Sequence, residues 1–194
     1  MQDHIDKTIA AHVRVLKDTA ALGPDIERFA ARAANCIADG GRVFWMGNGG
    51  SAADCQHLAA ELVGRFERER PGLASIALTT DSSILTSVAN DYGFESVFAR
   101  QVEALCRDGD VLIGLSTSGN SANVLRAMER AAGRGIYRVG LTGAGGGRLA
   151  ETCELCLAVP SKVTARIQEA HIVIGHIVCD LVERHMTGGT AEQR

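Results

Sequence analysis

Aromatic side chains make up only 4% of the 194 residues, and neither sign of charge dominates, with a formal net charge of −3 and a pI near 6.1. Alanine and glycine therefore fill space that rings fill elsewhere, within an otherwise ordinary globular composition. The missing basic surplus removes the electrostatic footprint of a nucleic-acid partner. No apolar run is long enough to cross a membrane. The opening MQDHIDKTIAAHVRVL has no secretory apolar core, so a cytoplasmic location is expected. No internal repeat or long linker interrupts the chain, and its length is enough for one buried core, so residues 1–194 read as a single domain. Six cysteines lie in apolar segments without the spacing of a disulfide framework, and read as small buried hydrophobes. Cys153 and Cys156 form a C-x-x-C, but no second pair and no thioredoxin-like context accompanies it.

What is present is alternation. Residues 4–38 read as two helices. Ile5, Ile9, Val13 and Leu16 recur at helical spacing, and Gly23-Pro24-Asp25 marks the start of a second amphipathic stretch. The stripe on the leading helix requires a cover, either the core or a second subunit. An α/β core is expected over 41–186, with strands at 42–46, 75–78, 111–115, 137–141 and 155–159. Helices are expected to begin near Ser51, Ser82, Phe94, Ser121 and Val163. Strands alternating with helices predict a five-stranded parallel sheet covered on both faces, and residues 187–194 read as a frayed polar tail. Ligands of such sheets bind outside the carboxyl ends of the strands.

Two loops stand at such ends. Gly47-Asn48-Gly49-Gly50-Ser51 follows the first strand and opens a helix, with glycines that admit close backbone approach and a helix start that attracts anions. Ser51 is a candidate N-cap. The loop also fits G-x-G-x-x-A, but the acidic residue of a dinucleotide fold is missing, since Asp81 comes too late. Ser116-Thr117-Ser118-Gly119-Asn120-Ser121 follows the third strand. Its four hydroxyls at a helix start make a neutral cradle for a phosphoryl group. No G-x-x-x-x-G-K-[ST] is present, so nucleoside triphosphate chemistry has no support.

Candidate chemistry lies on the helices. His57 and Glu61 are four apart, on one helical face, where they can share a metal or a substrate, although from spacing alone a surface ion pair or a satisfied histidine is the simpler reading. In the last helix Gln168 and His176 are eight apart, and Glu169 and His176 seven; the closer facing of the second pair leaves the choice open. Asn90-Asp91 fits either a turn or contact with substrate hydroxyls. The alternating charges of Arg65–Arg70 read as a solvated helix end.

Five segments together resemble the phosphoheptose isomerases, a branch of the sugar-isomerase (SIS) domain superfamily. They are GNGGSAADCQHLAAEL, RPGLASIALTTDSS, VANDYGFESVFARQVEAL, GDVLIGLSTSGNSANVL and RIQEAHIVIGHIVCDLVE. The likeness runs from about His4 to about His185. It implies a sugar-phosphate site lined by Asn48, Gly49, Gly50 and Ser51, a phosphate held by Ser116, Thr117, Ser118 and Ser121, and sugar contacts from Asn90, Asp91, Glu61 and Gln168. It implies Zn²⁺ on His57, Glu61, Gln168 and His176, an acid–base pair of Glu61 and His176, and a homotetramer with sites shared between subunits. The reaction implied is sedoheptulose 7-phosphate to D-glycero-D-manno-heptose 7-phosphate, for lipopolysaccharide or a related glycan. The alternative is a non-catalytic SIS tetramer of the replication-initiation regulator type, a branch without the helix carboxylate and the final-helix histidine. A sugar-phosphate sensor is a further rival, but such domains are joined to a DNA-binding segment that this sequence does not show.

Overall fold

The computed structural model describes residues 1–188. It consists of a parallel sheet between two helical layers. In chain order the elements are α1 (Gln2–Thr19), α2 (Gly23–Ala38), β1 (Val43–Gly47), α3 (Gly50–Val63), β2 (Ser75–Ala77), α4 (Ser82–Tyr92), α5 (Val97–Leu105), β3 (Val111–Ser116), α6 (Ala122–Ala131), β4 (Tyr137–Thr142), α7 (Leu149–Thr152), β5 (Leu155–Ala158) and α8 (Thr164–Met186). A single 3₁₀ turn precedes each of α2 and α5. The expected strands shift by a residue at most, and only the one-turn α7 was not foreseen. The end of the polar tail, 189–194, lies outside the described residues.

The five strands are all parallel, in the order β2-β1-β3-β4-β5. β1 and β3 are buried at every residue, because helices cover both faces of the centre, and this is why VFWMG and VLIGLS are nearly continuous apolar runs. Alternate side chains feed two cores. Val43, Trp45, Val111, Ile113 and Leu115 pack with Phe29 of α2, Leu58 of α3 and Ile174 of α8. Phe44, Met46 and Leu112 pack with Phe98 of α5 and with Val124 and Met128 of α6. The lone tryptophan is fully buried, and its indole N–H is satisfied by Ser75 Oγ at 2.9 Å.

Two glycines set how closely helices approach. A Cβ on Gly114 would stand 2.7 Å from side-chain carbons of both Met128 and Val124, so α6 lies directly on β3. A Cβ on Gly175 would stand 2.4 Å from Leu58, which fixes the approach of α8 to α3. α1 docks on α8 through its middle, where His12 Nδ1 meets Glu169 Oε2 at 2.7 Å and Arg166 donates to the Thr8 carbonyl at 2.7 Å. The foreseen stripe is covered by this chain only at Leu16, which packs against the core, while Ile5, Ile9 and Val13 are 49%, 56% and 42% exposed.

Candidate active site

The sheet order places the switch point between β1 and β3, since β2 lies to one side of β1 and β4 to the other side of β3. Gly47 pairs with Leu115, so the two candidate anion loops leave adjacent strands at the same height. That is the crevice in which doubly wound sheets bind ligands. Gly49, at φ +56°, is the N-cap of α3, and no side chain caps that helix. Ser51 is therefore not the cap that the sequence pattern proposed; it is buried in the first turn. Ser121 is the N-cap of α6, again without a side-chain bond to the helix. By contrast Asp81 caps α4, accepting from the Ile84 N–H at 2.8 Å. The helix starts at the crevice thus take no bond from their N-cap side chains, although Asn123 Oδ1 accepts from the Val124 N–H of α6 at 3.0 Å, while the start of α4 is capped by its N-cap residue.

The hydroxyl loop is held in shape from behind. Ser116 Oγ and Ser121 Oγ are 2.9 Å apart, and the Thr117 carbonyl accepts from Gly143 N–H at 3.1 Å. Ser118 is exposed, and its Oγ accepts from Asn120 N–H at 3.1 Å. Gly119 has φ +66°, and a Cβ there would lie 2.0 Å from the Gly146 carbonyl oxygen. Alanine at this position combines left-handed strain with a backbone collision, worth about 2 kcal/mol or more. Gly119→Ala is expected to lower the Tm by about 4–8 °C, read by thermal unfolding. An unchanged Tm would show that the turn relaxes freely.

Asn48 joins the two loops. It donates to Asn123 Oδ1 at 2.9 Å and accepts from Asn123 Nδ2 at 2.8 Å, and Asn123 is buried at the start of α6. Sequence reasoning missed Asn123, although its place inside the GNSANVL segment was a signal.

α3 and α8 run side by side in the same direction. The Gln168 amide nitrogen lies 2.7 Å from where a Cβ on Gly50 would stand, so its carboxamide faces the first loop. Two turns further on, His57 Nε2 is 2.8 Å from His176 Nε2 and 3.2 Å from Glu61 Oε1. Single ligand atoms of these three residues all lie within 4.8 Å of one another. Glu169, which spacing alone favoured, is instead occupied by His12 and Arg166 in docking α1. Two imidazoles and a carboxylate form a donor set suited to a borderline divalent cation, so the residues fit a metal of that class. Two ring nitrogens facing each other at 2.8 Å also need a shared proton or a cation between them. Burial first, and then the neighbouring His57, hold His176 below the ordinary histidine value, with Glu61 opposing.

Phe66 stacks on the His176 ring with centroids 5.4 Å apart. Its backbone is pinned by Glu183, a fully buried carboxylate that accepts from the N–H groups of Phe66, Glu67 and Arg68 at 2.7, 2.9 and 3.0 Å. Arg70, with its side chain 3% exposed, completes the cluster at 2.9 Å. The RFERER segment is thus not simply a solvated helix end. Burial works to raise the Glu183 pKa, but the backbone donors and Arg70 outweigh it, and the carboxyl sits below its usual range. His171 is buried too, with Nε2 3.1 Å from the Thr142 carbonyl and a pKa pushed down to about 4 by burial. Asn90 and Asp91 are exposed on the last turn of α4, hydrogen-bonded to each other at 2.8 Å and to neither loop.

A family model described as SIS domain matches residues 7–143. A phosphoheptose isomerase of Akkermansia muciniphila is 51% identical over 97% of this chain and 100% of its own length. This chain belongs to the SIS-domain phosphoheptose isomerases. Another member, from Roseiflexus, is 55% identical over 94% of this chain and 91% of its own. The solved phosphoheptose isomerase of Neisseria gonorrhoeae superposes with a TM-score of 0.89 at 43% identity, covering 94% of this chain and 98% of that one. The chain is therefore an aldose–ketose isomerase of this family, and its five-stranded parallel sheet is the SIS fold. Among the described residues no helix is long and apolar enough to cross a membrane.

Proposed function

We propose that the chain interconverts sedoheptulose 7-phosphate and D-glycero-D-manno-heptose 7-phosphate, for a heptose-containing glycan such as lipopolysaccharide. The observation that carries this reading is the meeting of Glu61, His57 and His176 in a chain of this family. The non-catalytic alternative has no use for such a set.

The phosphate is taken by the α6 start, with Ser116, Thr117, Ser118 and Ser121 donating hydroxyl and backbone hydrogens. Asn48, Gly49, Gly50 and Ser51 close the other wall, and the Gln168 amide is placed to meet sugar hydroxyls above Gly50. Glu61 acts as the base that moves a proton between C1 and C2. His176 acts as the acid that exchanges the proton on the adjacent oxygens. Phe66 keeps that ring's orientation by stacking. His57, Glu61, Gln168 and His176 are the residues proposed to hold Zn²⁺, which when bound supplies electrophilic stabilisation of the charge on the reacting oxygens.

What is left bare supports an oligomer. Ile5, Ile9 and Val13 on α1, and Val63 and Ile177 beside the triad in sequence, are all more than 40% exposed. Apolar positions so arranged call for a neighbour. A homotetramer covers them and brings Asn90 and Asp91 to a neighbouring subunit's sugar. A cytoplasmic location suits a substrate of this kind.

The test is direct. Purified without chelator and given sedoheptulose 7-phosphate, the protein is expected to form aldose phosphate. Chelation should lower the rate at least tenfold, and a divalent ion should restore it. Absence of turnover under all conditions overturns the activity, and full activity after verified metal removal overturns the metal.

A further inference from the structure

The Cys153–Cys156 pair is unused by the isomerase chemistry, yet the fold brings it together behind the phosphate loop. Cys153 ends α7 and Cys156 lies in β5, the edge strand, where it pairs directly with Gly140 of β4. The Cys153 sulfur comes within 3.1 Å of where a Cβ on Gly140 would stand, so this glycine leaves the Cys153 sulfur room beside the strand position that pairs with Cys156. Of the six cysteines, these two alone are partly exposed; Cys36, Cys55, Cys106 and Cys179 are buried.

Each sulfur is tied to one end of the glycine-rich turn at 143–148. Cys153 Sγ donates to the Leu149 carbonyl at 3.0 Å, and Cys156 Sγ lies 3.7 Å from the Thr142 hydroxyl. That turn is the wall on which the hydroxyl loop rests. Gly143 N–H donates to the Thr117 carbonyl, Leu149 N–H to the Gly119 carbonyl at 2.9 Å, and Arg148 N–H to Asn120 Oδ1 at 3.2 Å.

We propose that Cys153 and Cys156 are a redox-active dithiol, oxidised by low-molecular-weight disulfides of the glutathione class to an internal disulfide that disturbs the phosphate loop. The Cys156 thiolate attacks one sulfur of the oxidant, forming a mixed disulfide and releasing one thiolate. Cys153 then attacks the Cys156 sulfur, its proton passing to the second departing thiolate. The protein's two thiols are oxidised and one external disulfide is reduced to two thiols. The order of attack follows from the neighbourhood: the proximity of Cys153, aided by the Thr142 hydroxyl and opposed by burial, brings the Cys156 thiol down to about 7, while the same proximity and burial raise Cys153. The buried thiols are protected, with burial pushing Cys36 up to about 11 and Cys106 and Cys179 to about 12.

Closing the bond draws both sulfurs toward each other and away from Leu149 and Thr142. The second half of the proposal rests on the reading of the hydroxyl loop as the phosphate site, and expects a KM for sugar phosphate about tenfold higher with little change in kcat, the weight of one lost hydrogen bond. The full-length protein is equilibrated in glutathione buffers of stepped oxidation, alkylated and mapped by mass spectrometry, and assayed in parallel. Expected are a 153–156 disulfide with one midpoint, intact thiols at the other four cysteines, and recovery of KM with dithiothreitol. Cys153→Ser should stop at the mixed disulfide on Cys156, and the double serine variant should keep basal activity without responding. Mixed disulfides alone in the native chain, or no oxidation of this pair, overturn the dithiol. A mapped disulfide with unchanged KM overturns its coupling to the loop. A disulfide formed in a protein that isomerises nothing in either state overturns the activity and leaves the dithiol standing.

Discussion

Replacing Glu61 by glutamine is expected to lower kcat by about 10²–10⁴-fold while sugar-phosphate binding stays measurable, the loss typical of removing a positioned general base. The substitution keeps shape and one oxygen donor but removes the group that takes a proton from carbon. Its side chain is 23% exposed and its carboxylate stands 3.2 Å from His57, so the change is local and nothing in the core is disturbed. The decisive measurement pairs turnover with incorporation of solvent deuterium into the sugar. Both should fall together, because exchange at C1 and C2 needs the same base. A variant with near-native kcat, or one that still washes deuterium into the substrate, removes Glu61 from the mechanism.

The second large effect is on stability. Glu183→Ala takes away the one carboxylate that satisfies three backbone N–H groups and the Arg70 guanidinium, all within 3.0 Å and out of water. Breaking a buried charged cluster from one side costs about 3–5 kcal/mol, because the partners stay behind unpaired. For a chain of this size that is a fall in Tm of about 6–20 °C. The sign of its pH dependence follows from the lowered carboxyl. The contribution is fully present above the ordinary carboxylate value of 4.5 and is lost as pH falls through the lower folded value, so the alanine variant should show a flatter acid limb. Activity should fall as well, since Phe66 loses the anchor that lays it on His176. A Tm within two degrees or so of the native protein would mean that solvent reaches the cluster and substitutes for Glu183.

Much of the site was legible because its parts are local. A glycine run before a helix, hydroxyls before another, and a histidine four residues from a glutamate each state their geometry within one turn of chain. The family likeness chose Gln168 as the partner of His176, a place for which helical spacing left Glu169 in competition. Packing separated them: α1 reaches α8 on the face that carries Glu169 and claims it through His12, while α3 covers the face that carries Gln168 and His176. The roles of Asn123 and Glu183 were not legible. Each works on groups far away in sequence, at separations of 75 and about 116 residues, and no local pattern marks such a partner. Ser51 was misread for the opposite reason, as a local rule about caps was overridden by a glycine, Gly49, that takes the N-cap two residues earlier.

By itself the chain's order of residues determined a parallel sheet between helical layers, because apolar runs of strand length alternate with helical stripes and each must bury its face. It also determined which loops offer N–H and O–H groups to an anion. Tertiary structure decided the rest. It set the strand order that puts those two loops side by side, and the parallel contact of α3 with α8, at the glycine beside Leu58, that carries His176 across 119 residues to His57. It also left Ile5, Ile9 and Val13 of the α1 stripe bare. Periodicity states that a surface must be covered, and only the packed chain shows that its own atoms cover it at Leu16 alone.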